Sequence, residues 1–116
     1  MIRKLKNQRS EMVSNPCDGK GEIKIHHLLE KDDFKGKCCL FGKVTMYTGS
    51  AIGLHVHDDD EEIYYITKGR GRVIDDDITI EVGPGDTVVT GGGSKHALEN
   101  MGDGELEFIA VIHYIK

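Results

Sequence analysis

Three histidines and one glutamate hold most of the chemical potential of this sequence. His55 and His57 flank Val56, four residues separate His57 from Glu62, and His96 lies in a second stretch that opens at Gly85-Asp86 and runs through Gly93 to Asn100. Successive side chains on a β-strand point to opposite faces, so His55 and His57 emerge together while Val56 turns away. Both imidazoles can therefore reach one ion. Three neutral imidazoles and a carboxylate form a mixed nitrogen and oxygen shell that suits Mn, Fe, Ni, Co, Cu or Zn better than Ca or Mg. An ion with a larger coordination shell keeps positions for water and a chelating substrate, the condition for Lewis-acid or oxygen-activation chemistry. Burying four such groups without a partner would be costly.

These residues need strands to position them. Glu62-Ile63-Tyr64-Tyr65-Ile66-Thr67 is rich in β-formers and reads as a strand whose inward face carries Glu62, Tyr64 and Ile66. Asp58-Asp59-Asp60-Glu61 is too acidic for a core and reads as a solvated loop. That loop makes a hairpin in which the histidine strand and the glutamate strand lie side by side. His96, Leu98 and Asn100 share a face of another short strand, which only a closed or folded-over sheet brings opposite the first three ligands. Tyr64 either donates a hydrogen bond or a proton to a bound substrate, making it the candidate catalytic residue, or packs as a lining aromatic. Further strands are expected near residues 23–29, 37–47, 71–74, 78–82, 87–90 and 105–115. No segment keeps a helical period, and Asp75-Asp76-Asp77 and Gly83-Pro84-Gly85 supply turns.

The two stretches resemble the paired signatures of the cupin superfamily. From Gly49 to Gly69 the chain reads glycine, five residues, His-x-His, four residues, Glu, six residues, glycine. From Gly85 to Asn100 it resembles the second signature, with Gly91 where the family usually has proline. Glycine leaves that turn loose, so the run Gly91-Gly92-Gly93 is expected to be mobile, and Gly91→Pro to tighten it. The resemblance spans roughly residues 36–114. It implies an all-β, double-stranded β-helix or jelly-roll barrel, with His55, His57, Glu62 and His96 as ligands of one divalent transition metal ion. The activities it implies are those of a metal-dependent enzyme: dioxygenase, isomerase or epimerase, decarboxylase or lyase. The alternative is a non-catalytic module that binds or senses a small molecule. Members resembling oxalate enzymes place an arginine just ahead of the His-x-His pair, where this chain has Ile52-Gly53-Leu54. That weakens the oxalate reading. With Ile52, Leu54, Tyr64, Ile66 and Met46 or Phe108 as lining, the cavity is expected to be apolar and to take a small oxygen-bearing metabolite that chelates the ion through two oxygens.

The 116 residues suit one domain, and fifteen glycines fit an all-β chain with many tight turns. Residues 1–33 read as an N-terminal arm with one strand, either mobile or pinned to a sheet at the interface of an expected homodimer, and residues 34–116 as the barrel. A net charge of −5 argues against nucleic acid as partner. No run is long enough to span a membrane and the basic cluster Arg3, Lys4, Lys6, Arg9 lacks a secretory apolar segment, so the expected location is the cytoplasm. Cys17, Cys38 and Cys39 make a poor disulfide framework and read as reduced thiols. Adjacent His26 and His27 cannot both face the interior and read as surface or dimer-contact residues. His113 is structural by default, Asn100 serves a turn or strand end, and Lys95 points to solvent.

Overall fold

Alternation in the sequence becomes alternation in burial. In the strand Lys95–Asn100, Lys95 is exposed while His96, Leu98 and Asn100 are buried; in Asp60–Lys68, Glu62, Tyr64 and Ile66 are buried. The computed structural model describes residues 1–116. Its strands are β1 (Arg9–Ser14), β2 (Glu22–Leu29), β3 (Cys38–Met46), β4 (Ala51–Val56), β5 (Asp60–Lys68), β6 (Gly71–Asp75), β7 (Ile78–Val82), β8 (Thr87–Gly91), β9 (Lys95–Asn100) and β10 (Leu106–Tyr114). Three short 3-10 turns, Leu5–Asn7, Pro16–Asp18 and Lys31–Asp33, complete it.

The strands form two antiparallel sheets, one six-stranded in the order β1-β2-β3-β10-β5-β8 and one four-stranded in the order β4-β9-β6-β7. Their inner faces enclose one core, to which the larger sheet gives Met46, Ile66, Leu106 and Phe108 and the smaller Ile52, Val73, Val82 and Leu98. This is the expected double-stranded β-helix.

The pairing corrects the expected hairpin. β4 pairs with β9, whereas β5 pairs with β10 and β8, so the histidine strand and the glutamate strand belong to different sheets. Asp58-Asp59 crosses between sheets instead of turning back within one. His96, expected opposite the other ligands, is instead the cross-strand partner of His55.

The N-terminal segment holds a strand that its polar sequence conceals. β1 pairs along its length with β2, from Arg9 opposite His27 to Ser14 opposite Glu22, and β2 pairs in turn with β3. Ahead of it, Arg3 donates from Nε and Nη2 to the two carboxylate oxygens of Asp33, both at 2.7 Å. Arg3 thereby lowers the Asp33 carboxyl to about 2.

The glycine run is also more constrained than expected. Gly91 is a β8 residue paired with Glu61, and a Cβ there would lie 2.8 Å from both the Asp60 carbonyl oxygen and Glu61 Cα. Gly92 and Gly93 have φ of +64° and +100°, which favours glycine. The Gly93 N–H donates to the His57 carbonyl at 2.8 Å and the His57 N–H to the Ser94 carbonyl at 3.0 Å. The turn is stitched to a ligand residue, and Gly91 leaves no room for a proline ring.

Candidate metal centre

A β-bulge decides which β4 side chains enter the barrel. Ile52 pairs with Leu98 and His55 with His96, so β4 spends three steps where β9 spends two, with Gly53-Leu54 at the irregularity. The extra residue reverses the alternation. Ile52 above it and His55 and His57 below it all face inward, while Leu54 and Val56 are just over half exposed. Leu54 is therefore not a lining residue, contrary to expectation. The bulge also needs Gly53 as glycine, because a Cβ there would collide with the carbonyl oxygen of Cys17 in the Pro16–Asp18 turn.

The four donor groups converge within 4.8 Å of one another. His55 Nε2 lies 2.8 Å from His96 Nε2, and Glu62 Oε1 lies 3.1 Å from both His57 Nε2 and His96 Nε2 and 3.9 Å from His55 Nε2. The outer nitrogens of two rings are anchored: His55 Nδ1 to the Gly53 carbonyl at 2.7 Å, and His57 Nδ1 to Asp60 Oδ1 at 2.8 Å. With Nδ1–H donating outward, Nε2 presents its lone pair to the centre, the usual orientation of a metal-binding histidine. His57 Nε2 is buried, close to Glu62 but not aligned to hydrogen-bond with it, and has no other partner. A buried acceptor aimed at three other donors fits a transition ion.

Charge supports the same fit. Burial would raise the Glu62 carboxyl, but contacts with His55, His57 and His96 outweigh it and hold the group well below the carboxylate range. Contact with Glu62 raises the His57 imidazole above its ordinary value, against burial, and Asp60 adds in the same direction. The cluster thus carries an ionised carboxylate ready for a cation.

One side of the cluster opens into a cavity of about 320 Å³. His55, His57, Glu62 and Tyr64 line it, while His96 is fully buried behind them. The Tyr64 ring stacks on His96, with centroids 5.2 Å apart, and tilts against Phe108. Burial first, and then the Glu62 charge, push its hydroxyl well above the usual range, so Tyr64 stays protonated and offers its O–H as a hydrogen-bond donor. Of the other expected lining residues, Ile52 and Phe108 reach the cavity, while Met46 and Ile66 sit in the core away from it.

The remaining sequence candidates stay outside. His26 Nε2 meets Gln8 at 2.7 Å, His27 Nε2 meets Glu11 at 3.3 Å and His113 Nε2 meets Glu61 at 3.2 Å. Asn100 closes a strand end, its Nδ2 donating to the carbonyls of Met46, Tyr47 and Gly104. All three cysteines are free, and only Cys17 borders the cavity.

Residues 42–112 match the family model described as "Cupin domain". The chain belongs to the cupin family. A Thermotoga maritima protein named "Oxalate-binding protein" is 41% identical over 102 residues, covering 88% of this cupin and 84% of the relative. The crystal structure of a "predicted oxalate decarboxylase" from Thermotoga maritima superposes with a TM-score of 0.92 at 37% identity, covering 99% and 100% of the two chains. An RmlC-like cupin from Shewanella frigidimarina, at 14% identity, shares the fold with a TM-score of 0.77 over 99% and 91% of the chains. Two of these names refer to oxalate, the reading that the sequence, with no arginine just ahead of the His55-Val56-His57 pair, had weakened. No lysine or arginine lines the cavity of this cupin.

Two site features escaped the sequence reading. Asp60 was expected in a solvated loop, yet it opens β5 and orients His57; its place three residues after His57 was the available signal. Cys17 and Pro16 wall the cavity from a distant turn, for which the sequence holds no local signal.

Proposed function

We propose that this cupin binds one divalent transition metal ion through His55, His57, Glu62 and His96 and acts as a metal-dependent enzyme on a small oxygen-bearing metabolite. The observation that carries this is the buried, unpartnered Nε2 of His57 within 4.8 Å of three further donors, on the wall of a cavity. Such an ion, when bound, supplies Lewis-acid polarisation of substrate oxygens. The chain's own residues do the rest. Gly53 and Asp60 fix the ring orientations, the buried side behind His96 excludes water, and Tyr64, the candidate catalytic residue on the cavity wall, offers its protonated hydroxyl as a hydrogen-bond donor to bound substrate.

A second reading, a binding or sensing module without turnover, is favoured by the name of the Thermotoga maritima relative, which speaks of binding. Elemental analysis of untagged protein, followed by screening of each reloaded metal form for oxygen consumption, decarboxylation or isomerisation, separates the two. Stoichiometric metal with turnover supports the enzyme, and stoichiometric metal with ligand retained unchanged supports the module. Protein that takes up no metal at the His55 cluster refutes both. The homodimer remains part of the proposal, with β1 as one of the two edge strands of the larger sheet; sedimentation at several concentrations tests it.

A further inference from the structure

The cavity is built for more than a two-carbon diacid. Its polar atoms gather at one end, where His55, His57, Glu62 and Tyr64 meet. The rest of the wall is hydrocarbon, chiefly Ile23, Ile25, Leu40, Val44, Phe108 and Ile112. At about 320 Å³ it reaches the range of pockets that enclose whole ligands of many heavy atoms. A bare dicarboxylate at the polar end would leave most of this space to water that the aliphatic wall cannot hydrogen-bond. An apolar body fills it favourably.

Charge selects the head. A divalent ion and the Glu62 carboxylate sum to one positive charge, and no lysine or arginine along the wall adds to it. A chelating monoanion brings the buried end to neutrality. A dianion leaves a net negative charge in an apolar cavity, which is costly.

We propose that the ligand of this site is a monoanionic chelator with an apolar body, a 2-oxo or 2-hydroxy carboxylate bearing an aliphatic or aromatic side chain. This rests on the metal reading above. The two head oxygens face the ligand cluster and Tyr64, and the side chain lies along β2, β3 and β10, which carry Ile25, Leu40 and Ile112.

The test is a calorimetric titration of Co(II)-loaded full-length protein with glyoxylate, pyruvate, 2-oxobutanoate, 2-oxopentanoate, 2-oxohexanoate and phenylpyruvate, with oxalate for comparison. Affinity should rise about threefold to fourfold for each added methylene, and phenylpyruvate should exceed pyruvate. Changes in the cobalt absorption should accompany every binding member. Ile25→Ser and Leu40→Ser, at partly buried wall positions, should flatten the dependence of affinity on chain length. A flat series in the parent protein, or oxalate tighter than every monoanion, overturns the proposal while leaving the metal reading intact. Protein that retains no cobalt overturns both.

Discussion

Removing the carboxylate behind His57 is the sharpest probe of how this centre is held. His55 Nδ1 is anchored by a backbone carbonyl and His96 Nδ1 has no partner, so Asp60 is the one ring anchor that a substitution can delete. Asp60→Ala frees the His57 ring and strips its Nδ1–H of the acceptor 2.8 Å away. Loss of such an outer partner typically costs about 10- to 100-fold in metal affinity, or about 1.4–2.7 kcal/mol. The effect has a pH signature. His57 has a raised pKa in the fold, so it contributes stability to the metal-free protein that is fully present below the ordinary imidazole value of about 6.5 and is lost as pH rises through the raised value. Metal binding runs the other way. It requires neutral imidazole, so affinity falls by up to about tenfold per unit as pH drops through that raised value. Glu62, already held ionised, releases no proton. Because Asp60 helps raise His57, Asp60→Ala shifts both windows to lower pH. Competition against a chromophoric chelator at about pH 7.5 and about pH 6 measures this, with Asp59→Ala, whose side chain is 72% exposed and pairs with Lys116, as control. Equal affinities for the Asp60 and Asp59 variants, at both pH values, would refute the reasoning.

Other substitutions test the frame around the site, each read by thermal denaturation. Gly91→Pro should lower the midpoint, reversing the sequence expectation, because its Cβ meets Asp60 and Glu61 backbone and side-chain atoms at 2.8–2.9 Å; a gain in midpoint would show that β5 and β8 separate freely there. Gly53→Ala should cost about 1–3 kcal/mol by driving the Pro16–Asp18 turn off β4, and an unchanged midpoint would place the bulge elsewhere. The inward and outward sides of that bulge should differ: Ile52→Ala loses about 2–5 kcal/mol and Leu54→Ala under about 0.5 kcal/mol. Similar losses for the two would contradict the reversed alternation. Phe108→Ala, in a fully buried position, should lose about 3–5 kcal/mol and leave metal stoichiometry intact.

Local periodicity and spacing determined much of this protein. Strand alternation placed His55 with His57, Glu62 with Tyr64 and Ile66, and His96 with Leu98 and Asn100, because side-chain direction along a strand depends only on neighbours in the chain. The barrel and the expected ligand set came instead from the resemblance of the two signatures to the cupin pattern. Tertiary structure alone decided which strands meet. The acidic loop gives no sign of whether it turns within a sheet or crosses to the other, since that depends on β5 finding β8 and β10 as partners. Nor does Gly53-Leu54 announce a bulge, whose extra residue is defined only against β9 and turns Leu54 out of the cavity. Polar β1 becomes a strand through the hydrogen bonds β2 offers it, and Asp60 becomes part of the centre once the fold sets it against His57. Pairing between distant segments is a property of two surfaces at once, and neither segment carries it alone.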